Sequence, residues 1–270
     1  MNTDKRWEVF RDFPSFCNIR LCCVYKDKRN RKDVMIMEFD LSHYTHQGQR
    51  DYNEDDASFV QANNALFAVV ADGLGGHKNG KMASQMVVQS MIRTIRDSVF
   101  DEDQLILSIQ KADRLVKSEG ECGLSTVAAL WIKGAQALAA HVGDTRIYQF
   151  RDGRIIFQST DHSFVQVGVS TGRISPEEAR THKDRNKLLR ALGNEEPAKA
   201  DCRVLNLRAG DAFLLCTDGL WEGVTEERML STLRASENSP MWLSRLYQLV
   251  KQRNYERQDN HTAIAIMVRE

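Results

Sequence analysis

Eight short apolar runs fill the chain from Met35 onward: MIMEFDLSHYTHQ, ALFAVVAD, STVAALWI, ALAAHVGD, RIYQF, RIIFQS, DAFLLCTD and TAIAIMV. Each is either a continuous apolar stretch of strand length or an alternation of apolar and polar residues, and both patterns suit β-strands. Three of the runs finish on an aspartate, at Asp72, Asp144 and Asp218, and a fourth acid, Asp259, stands just before the last run. What such a chain can form is a sheet core with acids gathered at its strand ends. Asp152-Gly153, between RIYQF and RIIFQS, predicts a tight hairpin. Helical spacing is rarer. Ala83, Val87, Met91 and Ile95 recur every fourth residue and predict a helix from about Gly80 to Ser98. Further helices are expected over 102–118, near 176–182, and once or twice within 226–253. Strands cluster and do not alternate one for one with helices, so the expectation is an α+β fold with a largely antiparallel core, forming one domain over residues 34–270.

Composition removes several classes of function. The 270 residues carry 37 basic and 37 acidic side chains, which leaves no chain-wide positive field to collect nucleic acid or an anionic membrane. With 42% hydrophobic residues and only 4 Pro, disordered and collagenous classes are excluded. No apolar run approaches the roughly 20 residues of a membrane helix. The charged start MNTDKRWEVFRD lacks the apolar stretch of a signal peptide, so a cytoplasmic location is expected, without membrane insertion. The cysteines, at 17, 22, 23, 122, 202 and 216, are spaced like free thiols, and Cys17, Cys22 and Cys23 have no second ligand pair to suggest zinc. Cys216, inside an apolar run, reads as a buried structural thiol. Residues 1–33 hold nine of the basic residues, five of the acidic ones and half the cysteines, and stand apart as an N-terminal extension.

Acids at strand ends repel one another when they are brought together and partly desolvated, and a bound cation would remove the conflict. Oxygen ligands with no His or Cys at ligand spacing point to Mg²⁺ or Mn²⁺ in preference to zinc or copper. Any one of these aspartates could instead cap a turn, as Asp72-Gly73 and Asp218-Gly219 suggest. Four together favour the cation. The glycine-rich stretch from Asp72 to Gly80 lets the backbone approach a ligand and offer a carbonyl oxygen. It lacks the Gly-Lys-Ser/Thr ending of a nucleotide P-loop, which disfavours nucleotide binding. In GQRDYNEDD a single arginine, Arg50, precedes four acids. This could be a solvated charged loop, but beside a metal pair the planar fork of Arg50 could grip two phosphate oxygens.

Eight motifs then fall in one order between about residues 42 and 268: GQRDYNEDD, VVADGLGGHKNGKMAS, GLSTVAAL, AHVGDTRIYQFRDG, STDHSFVQ, GRISPEEARTHKDRNKLLRALG, LRAGDAFLLCTDGLWEGV and DNHTAIAIMV. Together they resemble the metal-dependent serine/threonine protein phosphatases of type 2C, particularly the short bacterial members. The resemblance implies a four-layer α/β-β/α sandwich with two central, mainly antiparallel sheets flanked by helices. It implies that Asp72 bridges two Mn²⁺ or Mg²⁺ ions, that Gly73 offers its carbonyl, and that Asp218 and Asp259 complete the pair. Asp144 matches the acid that, with Asp218, holds a third ion. Glu54 and Asp55 match acids near the second metal that act through water, and Arg50 matches the phosphate-gripping arginine.

The implied reaction is hydrolysis of phosphoserine and phosphothreonine by a water that the two metals activate, without a phosphoenzyme. Where some eukaryotic members use a histidine as acid, this chain has Leu74, and His77 does not inherit the role, which leaves the proton to a water of the metal centre. Residues 165–193 match a flap beside the site, though an ordinary helical insertion is equally compatible. The partners implied are phosphoprotein substrates, a serine/threonine kinase and its targets among them, and the protein is expected to be a monomer. A catalytically silent member serving as a binding or sensing module would have lost a metal carboxylate, and here all are present. For residues 1–33 three readings stand: a start placed too far upstream, a docking arm carrying the basic cluster Lys26 to Lys32, or a thiol sensor.

Overall fold

Several of the central strands are apolar at almost every position because each faces two cores at once. The computed structural model describes residues 19–26, 34–75, 78–120, 123–253 and 258–269. Cys17, Lys28 to Lys32, His77 and Cys122 lie outside them.

Numbered in chain order, one six-stranded sheet runs β1 (Ile19–Lys26), β2 (Val34–His46), β13 (His261–Arg269), β12 (Ala212–Cys216), β9 (Arg146–Arg151) and β10 (Arg154–Gln158). A five-stranded sheet runs β11 (Asp201–Asn206), β8 (Gln136–Val142), β7 (Val127–Lys133), β4 (Ala65–Ala71) and β3 (Asp56–Ala62). A small pair, β5 (Gly73–Leu74) with β6 (Leu124–Ser125), sits at one end. All these pairings are antiparallel.

Strand alternation divides the apolar residues into three cores. Leu66, Ala68 and Val70 of β4 meet Phe213, Leu215, Ile264 and Ile266 of the other sheet. Phe67, Val69 and Ala71 of the same strand face the helices α1 (Lys78–Arg96) and α2 (Glu102–Ser118). The opposite faces of β12 and β13, with Leu214, Ala263 and Ala265, pack on α5 (Asp218–Trp221), α6 (Glu226–Arg234) and α7 (Ser239–Gln252). The layers are therefore helix, sheet, sheet, helix. Cys216 is fully buried in the third core. At the β9–β10 turn Asp152 and Gly153 both take positive φ, 50° and 70°, the geometry of the tight hairpin turn that Asp-Gly favours.

Two features differ from the sequence expectation. The described part of the N-terminal extension is not separate from the sheet: β1 pairs with β2 over eight residues, from Ile19 opposite Leu41 to Lys26 opposite Val34. It shields an edge that β2 would otherwise leave open, and Gln61 Nε2 of β3 donates to the Cys22 carbonyl at 2.6 Å. The run DAFLLCTD stops as a strand at Cys216, and Asp218 opens a helical turn. Between β10 and β11 lie two short helices, α3 (Phe164–Ser170) and α4 (Pro176–Ala179).

Candidate metal centre

Antiparallel pairing brings the acid-bearing turns to the same end of the sandwich. Cys216 at the end of β12 pairs with Ala263 near the start of β13 and with Arg146 at the start of β9, while His261 pairs with His46 at the end of β2. In the other sheet Asp56 pairs with Ala71, and Val127 with Val142. These registers gather Asp72, Asp144, Asp218 and Asp259, and bring up the 47–55 loop with them. Arg50, Glu54, Asp72, Gly73, Asp144, Asp218 and Asp259 all line one cleft of about 320 Å³. Asp55 stands behind them, buried. Asn186 and Leu188, from the segment expected to form a flap, close one side.

The Asp72 turn is held by main-chain and hydroxyl contacts that do not use its carboxylate. Thr126 N–H donates to the Asp72 carbonyl at 2.8 Å, and Asp72 N–H donates to Thr126 Oγ1 at 3.1 Å. Gly73 tolerates no side chain: a Cβ there would lie 2.0 Å from the Gly80 carbonyl oxygen. Gly219 is equally confined, its Cβ position falling 2.1 Å from the Asn260 carbonyl oxygen. Asn260 is a residue that sequence reasoning missed. Its Nδ2 donates to the carbonyls of Gln47 at 2.7 Å and Tyr52 at 2.9 Å, and its Oδ1 accepts from Glu54 N–H at 2.8 Å. It thereby fixes the loop that carries Arg50, and the only signal for it was its place beside Asp259. Thr217 was missed likewise. Its hydroxyl donates to Asp55 Oδ2 at 2.9 Å and accepts from Thr262 N–H at 3.0 Å.

The electrostatics of the cluster are those of negative charge in excess. Burial, then the charge of Asp259, pushes Asp55 up to about 7. Burial, then Asp161, pushes Asp144 up to about 7. Asp72 and Asp218 are held well above the ordinary carboxylate range by desolvation and then by their acidic neighbours, Asp55 first for Asp72 and Asp144 first for Asp218. Among the described residues, Arg50 is the one arginine lining the cleft. Its Nη2 donates to Asp259 Oδ2 at 2.6 Å, and its side chain remains about half exposed at 51%.

Among the described residues, no three His, Cys, Asp or Glu side chains close into a ready-made coordination shell; the acids ring the cleft instead. Their chemistry nevertheless fits a hard divalent cation. All the donors are oxygens, the buried Asp55 Oδ1 accepts no hydrogen bond, and the Gly73 cradle keeps the backbone bare.

The pattern of protein phosphatase 2C matches residues 44–257. The chain belongs to that family. A serine/threonine phosphatase of Listeria monocytogenes is 32% identical over 234 residues, which cover 80% of this chain and 90% of that protein. Serine/threonine protein phosphatase PstP of Mycobacterium tuberculosis is 33% identical over 197 residues, 67% of this chain, but the match spans only 38% of PstP's length. The catalytic domain of PstP solved with two manganese ions superposes with a TM-score of 0.76 at 29% identity, covering 87% of this chain and all of that one. The four-layer fold is thus the fold of the family. No described helix is long and apolar enough to cross a membrane.

Proposed function

We propose that this chain is a Mn²⁺- or Mg²⁺-dependent phosphatase that hydrolyses phosphoserine and phosphothreonine in proteins by direct attack of water on phosphorus. The observation that carries the reading is the ring of acids around one cleft, with Arg50 as its only arginine among the described residues and with ionisation of Asp55, Asp72, Asp144 and Asp218 suppressed. Asp72, the Gly73 carbonyl, Asp218 and Asp259 would hold two cations, Asp144 with Asp218 a third, and Glu54 and Asp55 would act through water. When bound, divalent cations offset the charge of the phosphoryl oxygens and make water a better nucleophile at neutral pH.

The chain's own part is binding and alignment. Arg50 is exposed enough to exchange Asp259 for a phosphate, and its fork suits two phosphoryl oxygens. Asn260 keeps the Arg50 loop in register with Asp259, so the grip and the acids move as one unit. The oxygen of water bonds to phosphorus as the phosphorus–oxygen ester bond breaks, and the departing serine or threonine oxygen takes up a proton. The cleft is open to solvent, where a side chain presented on a protein surface can reach it. The substrates we infer are phosphoproteins, a serine/threonine kinase and its targets among them, met by a monomeric, cytoplasmic enzyme whose flap covers 165–193.

The test is release of phosphate from phosphoserine and phosphothreonine peptides. Activity should require Mn²⁺ or Mg²⁺ and disappear with EDTA. A rate in EDTA equal to the rate in Mn²⁺ would refute the metal-dependent reading.

A further inference from the structure

Two of the acid-bearing turns are joined by one side chain. Trp221 ends the single turn of α5 that Asp218 begins, and its indole Nε1 donates to the main-chain carbonyl of Asp144 at 2.9 Å. The indole is buried. The Arg146 guanidinium lies over the ring, its Cζ 3.5 Å from the ring centroid. Arg146 is itself held by Asp161 through two hydrogen bonds, at 2.9 Å and 2.7 Å.

The segment beside the cleft reaches the same residue. Arg180, just after α4, donates from Nη1 to the Trp221 carbonyl and pairs through Nη2 with Glu226 Oε2 at 2.5 Å. Its Cζ is 5.8 Å from the Trp221 ring centroid. Further along, Arg185 pairs with Glu222, the residue that follows Trp221, at 3.0 Å. Neither Trp221 nor Arg180 lines the cleft.

We propose that Arg180 and Trp221 form a mechanical joint. Arg180 registers where the 164–190 segment sits, and the indole N–H passes that position to the backbone of Asp144, setting how Asp144 faces Asp218. Both are positioning residues, because they act through Asp144 and touch no substrate. The physical basis is that α5 is too short to be stiff by itself, so the Asp218 turn takes its placement from what grips its end. That end is gripped on one side by the Asp144 carbonyl and on the other by Arg180. The consequence for cation binding rests on the function proposed above, while the contacts stand apart from it.

The experiment is calorimetric titration of Mn²⁺ into the full chain as wild type, Trp221→Phe, Arg180→Gln and the double variant, with Asp144→Ala marking the site that depends on Asp144. Phenylalanine keeps an aromatic face for Arg146 and removes the donor. Each single variant should weaken the Asp144-dependent site about tenfold and leave tighter sites within about twofold. The double variant should lose no more than the worse single, because the two residues lie on one path. With a phosphopeptide, kcat should fall in step while KM holds. Additive losses in the double variant would overturn the joint. So would variants that lower the melting temperature without moving that Mn²⁺ site, or a wild-type chain with no Mn²⁺ site that Asp144→Ala removes. If Trp221→Phe fails to fold, Arg180→Gln decides alone by the same site. A wild type that binds Mn²⁺ but cleaves no phosphopeptide would defeat the proposed function, while the Mn²⁺ titrations would still decide the joint.

Discussion

Two clusters of charge lie side by side at the end of the sandwich, and they are finished in opposite ways. In one, Arg146 is held in a two-pronged pair by Asp161, with side-chain exposures of 11% and 4%, and it also meets Tyr148 and Glu226, which Arg180 neutralises in turn. Every acid there has its cation from the chain. In the other, Asp72, Asp218 and Asp259 share Arg50, which pairs with Asp259, and Asp144 feels the charge of Arg146, which is already paired with Asp161. Burying charge is costly unless it is paired, so a chain that pairs one cluster fully and leaves its neighbour short of positive charge reserves the second for something from solution. The two clusters touch at Trp221, which lies under Arg146 and bonds to Asp144.

That contrast breaks most sharply at Asp72. Asp72→Asn should cut turnover at saturating Mn²⁺ about a thousandfold, roughly 4 kcal/mol. It should also raise the melting temperature of the metal-free chain, because folding no longer has to hold a carboxyl protonated far above its ordinary range. Retention of more than about a tenth of kcat, under roughly 1.4 kcal/mol, would show that Asp72 does not serve both cations. Removing a charge from the finished cluster should act the other way. Arg146→Met leaves Asp161 buried without its partner and should cost about 3 kcal/mol of stability in denaturant unfolding. If it proved as harmless as Asp72→Asn, the distinction between the clusters would fail.

Much of this is legible in the amino-acid sequence alone. Strands β4, β7, β12 and β13, which face two cores, are nearly continuous in apolar residues, and α2 occupies the 102–118 stretch expected of it. Their burial is one-dimensional information, repeated at every second or fourth residue. The edge strands β3 and β11 were not legible, because half-exposed residues such as those of Asp201–Asn206 carry no apolar rhythm. Nor was α5, since four residues are too few for a helical period. For the site, acids at strand ends gave the cleft, while its supports came only from the fold. Asn260 braces backbone carbonyls 208 and 213 positions away, and Arg146 meets Asp161 across a hairpin. Pairings of that kind leave no local trace in the chain.

The pH dependence of stability sharpens the same comparison at smaller amplitude. With EDTA present, Asp55 and Asp144 titrate near 7 in the fold against an ordinary value of 3.8, and Asp72 and Asp218 are also raised. The folded chain then holds more protons than the unfolded one, so stability falls as pH rises through these values. His162 and His261, lowered by burial to about 4 and about 3, are neutral in the fold and cost stability only as pH drops below their ordinary 6.5. Between about pH 7 and 8.5 the histidines are nearly silent. Over that window the metal-free melting temperature should decline, and saturating Mn²⁺, which binds carboxylates without their protons, should reverse the slope. A flat metal-free profile would mean that the acids are not in conflict.

The smallest effect should come from the far edge of the six-stranded sheet. Strand β1 begins at Ile19 opposite Leu41, five residues short of His46 at the cleft end of β2. At about 3.3 Å per residue that places it roughly 17 Å away along the strand. Its described side chains are only partly covered: Leu21 packs against the core between the sheets, while Arg20 and Cys22 are exposed. A chain beginning at Met35 therefore loses a ladder of backbone pairs and a little apolar contact, but no charged partner of either cluster. Removing it should cost about 1 kcal/mol, or roughly 2 to 4 °C of melting temperature at this size. The Mn²⁺ concentration for half-maximal activity should stay the same. A shift in that concentration would mean that the extension reaches the metal centre, and a melting temperature unchanged to within a degree would mean that β1 pairs with β2 too weakly to matter.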